Sequence, residues 1–361
     1  MTQTVQREAP PVNGEREGTG ARILRAVLTQ RITLLVILLI AVVAWMSILS
    51  AGGYLTASYD PDYMSAALVD AVPLAMLALA EMIVILSGRG GIDLSVGSIV
   101  SLTGMIFGFA YGQWGWPLWA AVLLAPVVGG LLGAVNGFMV ARLRFPALIA
   151  TLATYYAYKS LAIVINEQQP ISTPPIQDLY GLTSSVEIPV IGRNIPDVPL
   201  GVFTFLLPTV VIVWLLLVRT TYGRRLFGIG TNDVAARWSG IDVAATRMRA
   251  YVAAGIVAGL VAVYVTAQFA SARPDAGTSG SGLALPAITI AVLGGVAITG
   301  GIGRVSGVVL AAVLITWLNA GILLYVPGNE GTQYQLFALG VALVFAALLN
   351  SITTRRYGGT R

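Results

Sequence analysis

The chain of 361 residues contains no cysteine and no histidine. Disulfides, thiol nucleophiles, imidazole bases and the usual zinc ligand sets are therefore excluded, and no catalytic or metal site is expected. Lysine is almost absent too. Lys159 is the single one, and it follows Tyr155-Tyr156-Ala157-Tyr158 instead of a glycine run. A Walker A loop needs a lysine after its glycines to hold phosphates, so no conventional P-loop is present and Gly300-Gly301-Ile302-Gly303 is not a nucleotide site. Charge is scarce, at 10% of residues, where a soluble domain carries about 25%. What fills the chain is hydrophobic residues, 57% of the total, with 41 glycines and a mean hydropathy of +0.82. That composition reads as a polytopic membrane protein whose helices approach closely in lipid. The net charge of +5 comes from basic residues flanking apolar runs; lipid is the expected contact, and nucleic acid is not.

Residues 1–30 are polar, with Gly14, Gly18 and Gly20 among mixed charges, and read as a disordered cytoplasmic tail. Ten apolar runs follow, at 32–51, 65–86, 92–111, 117–139, 146–166, 199–218, 249–270, 284–299, 305–325 and 334–350. Most are near the twenty or so residues that cross a bilayer as a helix; 92–111 and 284–299 are interrupted by glycine. The expected fold is all-α, a polytopic membrane helical bundle of about ten transmembrane helices over 31–352. Interrupted helices are expected near 90–97 and 280–303, with a cytoplasmic tail at 353–361. With the N-terminus inside, alternating loops put eighteen of the 21 basic residues on the cytoplasmic side; Arg193 and Arg273 fall outside, and Lys159 lies in a span. The excess of positive charge inside places both termini in the cytoplasm. The longest outer loop, 167–198, holds Pro170, Pro174, Pro175, Pro189 and Pro196 and is acidic on balance. It reads equally as a docking surface or as a rigid cap.

The most distinctive polar stretch is the arginine-rich segment at about 219–248, a loop between long spans. Thr231 or Asn232 is suited to cap a short helix there, Asp233 suits its positive end, and Gly240 fits its stop. Trp238 supplies an apolar anchor of the kind that dominates interfaces. The segment Asn232, Asp233, Ala235, Ala236, Arg237, Trp238, Ser239, Gly240 and Ile241 either docks on a cytoplasmic partner or lies on lipid headgroups, which also favour Trp and Arg.

A second constellation is Gly90-Gly91-Ile92-Asp93-Leu94-Ser95-Val96-Gly97-Ser98. A carboxylate among apolar residues must be capped, paired or hydrated. Asp93 is read first as the cap of the helix that follows. The alternative is a broken helix in which Asp93, Ser95 and Ser98 line a polar path, joined by the polar span residues Asn136, Thr151 and Asn319. Asp70 and Lys159 fall at similar depth and either pair or snorkel separately. Glu81 is expected near the inner arginines, in a structural role. Gly129, Gly133 and Gly137, Gly255 and Gly259, and Gly303 and Gly307 form G-x-x-x-G steps suited to helix packing.

Four blocks in order carry a resemblance. Gly91 to Ser98 resembles the G-I-D-L-S-V-G-S signature of the ribose/xylose/arabinose-type ABC importer permeases. Val135-Asn136-Gly137, with Arg144-Phe145-Pro146-Ala147-Leu148-Ile149-Ala150-Thr151-Leu152, is similar to their N-G…P-x-x-I-x-T-L block. Gly230 to Ile241 looks like their cytoplasmic G-x-N-x-x-A-A-x-x-S-G-I segment, and Val292 to Gly295 with Gly300 to Gly307 resembles their late glycine-rich block. The resemblance covers about residues 31–350. It implies a membrane subunit that pairs with a second permease, as homodimer or heterodimer. Two cytoplasmic ABC ATPase subunits or domains would bind ATP and Mg, with no cofactor on this chain. An extracytoplasmic solute-binding protein would deliver a monosaccharide or polyol, and the segment from Asn232 to Ile241 would be the coupling contact. Where that family has an acidic E-L-D-A-I-A-A run, this chain has Gly282-Leu283-Ala284-Leu285-Pro286-Ala287-Ile288-Thr289-Ile290, without the two carboxylates. Competing readings are the same machine carrying a branched-chain amino acid or nucleoside, or an ion-coupled secondary carrier using Asp70, Glu81, Asp93 and Lys159.

Overall fold

The computed structural model describes residues 30–186, 196–279 and 282–357. The expected tail at 1–30 (except Gln30), the middle of the outer loop and the last residues of the C-terminal tail lie outside the described residues. Among the described residues, nine helices are long and apolar enough to cross a membrane. The helices are α1 (Arg31–Ala51), the short α2 (Pro61–Ala66), α3 (Leu68–Leu86), α4 (Val96–Phe107), α5 (Leu118–Gly137), α6 (Ala147–Val164), α7 (Pro174–Asp178), α8 (Leu207–Arg219), α9 (Thr221–Thr231), α10 (Asp233–Trp238), α11 (Val243–Gln268), α12 (Ala284–Leu293), α13 (Val305–Tyr325) and α14 (Asn329–Tyr357). Wider π-type turns extend α4 to Gln113 and α5 to Arg142, and Val202–Leu206 forms another ahead of α8. The described strands are two-residue pieces, Ser185–Val186 against Val198–Pro199.

Helices α3, α4 and α11 occupy the centre, while α1, α8 and α14 are peripheral and turn most of their apolar surface outward, as lipid-facing helices do. Glycine sets the closest contact. A methyl on Gly129 would lie 2.1 Å from the Gly255 carbonyl, and one on Gly133 would lie 2.3 Å from that of Tyr251. The G-x-x-x-G steps of α5 and α11 therefore face each other backbone to backbone. Pro73 inside α3 lacks the N–H that would bond the Val69 carbonyl. The Tyr264 hydroxyl of α11 donates to that carbonyl at 2.9 Å, so the break is repaired by a neighbouring helix.

The expected span at 284–299 differs from the structure. Its helix stops at Leu293 after ten residues, about 15 Å of a hydrocarbon core near 30 Å. The other half of the crossing is the non-helical stretch before it. Gln268 at the end of α11 donates to Asp70 at one end of the bundle. From there the chain pairs Ala272 with Ile171, and Gly277 N–H then donates to Ser101 of α4 at 2.9 Å. The interruption thus begins near 270, earlier than expected. Pro286 sits in the first turn of α12, where its missing N–H has no intrahelical partner. After α12, Gly301 N–H reaches the Leu86 carbonyl at the other end. That end gathers Arg89, Arg142, Arg219, Arg247 and Arg304 at helix ends and starts and is called the basic end below.

Candidate functional site

The chain leaves α3 at Ser87 and turns back through Gly88 (φ 77°), Arg89 (φ 56°) and Gly90 (φ 65°). Arg89 is the non-glycine member of that left-handed run, a placement that costs about 1 kcal/mol. The turn sends Ile92-Asp93-Leu94-Ser95 back toward the core, where Asp93 and Ser95 are fully buried. Asp93 Oδ1 accepts from Ser95 N–H at 2.9 Å and from Ser95 Oγ at 2.6 Å. Asn136 of α5 donates through Nδ2 to both Asp93 oxygens, at 3.3 and 3.2 Å, and to Ser95 Oγ at 2.7 Å. Thr154 of α6 donates to Asn136 Oδ1 at 2.7 Å. Asp93 thus closes a turn before α4, whose N-cap residue is Ser95 with no side-chain cap of its own. Ser98 donates to the Ser95 carbonyl at 2.8 Å; Thr151 donates to the Ala147 carbonyl at 2.9 Å and lies 3.4 Å from that of Ile92.

Glu81 differs from expectation. It is fully buried, and its Oε2 accepts from Asp93 N–H at 3.3 Å, with no arginine ion pair among the described residues. Asn319 stands apart from the cluster, lining a cavity of about 520 Å³ with Asp70 and Gln268 at the end opposite the basic end. Asp70 and Lys159 do not pair: Asp70 accepts from Gln268 at 2.7 Å, and Lys159 Nζ sits over the Tyr155 ring. Thr154 is a further polar residue of α6, and its place in the cluster comes from the approach of α6 to α5.

The basic segment folds as two helices. Asn232 caps α10, its Oδ1 accepting from Val234 and Ala235 N–H at 3.1 and 3.0 Å. Gly240, at φ 79°, ends it. Ala236 faces inward, while Trp238 is 88% exposed. Asp233 bonds Arg89 of the return loop and lies 3.9 Å from Arg247 of α11, whose Nη2 donates to the Ser87 carbonyl at 3.0 Å. Glycine again sets the joint. A methyl on Gly230 would lie 2.0 Å from the Leu86 carbonyl and 2.4 Å from Gly301 N. The Gly-Ile-Asp-Leu-Ser loop, the basic segment and the late glycine-rich block therefore meet at one point. Burial pushes the Tyr222 phenol up, against the opposing pull of Arg249, so it stays a neutral donor facing the Thr246 carbonyl at 3.4 Å.

The sequence that builds this site is similar to those of known proteins. Residues 63–349 match the family described as branched-chain amino acid transport system / permease component. The chain is 34% identical over 282 residues to a ribose import permease protein of Escherichia coli strain K12, covering 77% of this chain and 82% of that one. It is 33% identical to a ribose import permease protein of Bacillus subtilis, covering 76% and 80%. An autoinducer 2 import system permease protein of Klebsiella pneumoniae is 32% identical, covering 78% and 82%. No solved structure matches significantly.

Proposed function

The chain belongs to this family of permease components, and from that premise we propose that it forms the translocation path of a bacterial ATP-binding-cassette importer for a monosaccharide or polyol. The sugar assignment follows the import permeases it is similar to. The family description favours one second reading, a branched-chain amino acid. Uptake of labelled ribose and labelled leucine by vesicles containing the assembled importer separates the two.

In this reading both termini are cytoplasmic, the basic end faces the cytoplasm, and a second permease subunit completes the path. Two ATPase subunits or domains bind ATP and Mg, and a solute-binding protein delivers the cargo at the opposite end. The observation that carries the coupling role is Trp238, an indole held almost fully in solvent on a capped helix whose opposite side is ion-paired to the bundle. A large exposed aromatic on a rigid mount suits a partner groove. ATPase closure that moves α10 would pull on Arg89 through Asp233, and so on the loop that carries Asp93 into the core. The buried polar cluster of Asp93, Ser95, Ser98, Asn136 and Thr151 is what this pull would rearrange on the translocation path.

Trp238→Ala removes the anchor without touching a span. It is expected to cost about 2 kcal/mol of ATPase binding, roughly thirtyfold in affinity. Co-purification of the ATPase and ATP-driven uptake in vesicles should both fall. Unchanged binding and uptake would return α10 to the lipid surface, and uptake that survives ATP removal while an ion gradient is kept would make the chain a secondary carrier.

A further inference from the structure

A cavity of about 480 Å³ opens at the basic end between the return loop, the turn after α5 and the start of α11. Arg89, Arg144, Arg237 and Arg247 line it, with Asp242 on the same wall. Asp242 is engaged as the cap of α11, accepting from Ala245 N–H at 2.9 Å, and Asp233 serves both Arg89 and Arg247. Four guanidiniums thus face two carboxylates, an excess of two positive charges. Arg247 is only 5% exposed, and its Nε is buried without a hydrogen-bond partner. A buried guanidinium N–H left unpaired is unfavourable, and the Arg247 side chain that carries it also borders this cationic cavity. Arg144, like Arg89, is held at positive φ, 60°, which sets its backbone in the turn that borders the cavity.

We propose that this cavity binds a phosphate group, with the Arg247 guanidinium in its wall and Arg144 and Arg237 closing on it from the rim. Guanidinium forks match phosphate oxygens in geometry. A phosphate monoester dianion balances the two excess charges, and a phospholipid headgroup presents the same oxygens with less charge. Because Arg237 belongs to α10 and Arg144 to the turn after α5, an anion between them ties the coupling helix to the helix that carries Asn136. Occupancy would stiffen that joint, a control on transport separate from the ATPase contact itself.

The test uses the full-length permease alone, so its outcome does not depend on ATPase docking or on the identity of the cargo. In nanodiscs of pure phosphatidylcholine, inorganic phosphate and glycerol 3-phosphate are titrated by calorimetry. In parallel, phosphatidylglycerol retained through purification is measured by mass spectrometry. The double variant Arg144→Gln/Arg237→Gln changes two exposed side chains, and its melting temperature checks that it is folded. Binding of either soluble phosphate that weakens about tenfold or more in the variant assigns the site to a soluble ligand. Phosphatidylglycerol retention that is lost in the variant, without soluble binding, assigns it to a headgroup. Absence of both, or binding equal in the two proteins, overturns the proposal.

Discussion

Asp93 shows how a single carboxylate is made tolerable inside a membrane protein. Its burial is compensated by the Ser95 N–H and hydroxyl and by the Asn136 amide, all within 3.3 Å. Asp93→Asn keeps the oxygen that closes the turn to Ser95 and loses about one hydrogen bond on the Asn136 side. It should lower stability by about 1 kcal/mol and retain most uptake. Asn136→Leu is the harsher change. It strips both carboxylate oxygens of their side-chain amide donor and leaves Thr154 without that acceptor, which should cost about 3 kcal/mol. Thermal unfolding of the purified permease should rank Asn136→Leu well below Asp93→Asn. The reverse order would mean that the charge of Asp93, and not its geometry, holds the loop.

At the scale of elements, the contact of α5 with α11 positions everything above it, because Asn136 lies less than one turn beyond Gly133. A leucine at Gly133 would have to displace the Tyr251 backbone, which rigid helices accept only by separating. Gly133→Leu is expected to cost 3 kcal/mol or more and to reduce the yield of folded permease. Gly340 of α14 has nothing within 4 Å of an added methyl, so Gly340→Ala should be neutral or stabilising by up to about 1 kcal/mol. Equal losses from the two, measured by yield and melting temperature, would show that glycine packing does not hold α5 on α11. The G-x-x-x-G steps, a cap at Thr231 or Asn232 and the Gly240 stop were legible in the sequence because each is a local rule, and the structure gives the cap to Asn232. The half-length of α12 was not. An apolar run around glycines reads alike whether it is helix throughout or helix after a re-entrant stretch.

At the scale of the whole molecule, the nine long helices and the broken crossing through α12 make an even number of passages, so Arg31 and the end of α14 come to the same end of the bundle. The proposed orientation puts that end in the cytoplasm. Because the chain has no cysteine, single cysteines report position without background. Gln169→Cys and Tyr180→Cys should react with a membrane-impermeant maleimide on intact cells, and Asn232→Cys should react only after the membrane is opened. Labelling of Asn232→Cys from outside would invert the arrangement.

Composition and local pattern by themselves determined the membrane class, nearly every span, the short capped helix at Asn232 to Trp238 and the gathering of most arginines at one end. These follow from the thickness of the bilayer, from helical rise and from contacts within a few residues. Only the tertiary structure decided which polar residues meet. Asp93, Asn136 and Thr154 come from three different segments, and Glu81 turns to Asp93 while Asn319 faces the opposite end. The same holds for Asp233 with Arg89, more than a hundred residues apart. A helix that is apolar on all sides carries no stripe to say which face is inward, so the partners of its few polar groups are fixed by the order and rotation of helices in the bundle.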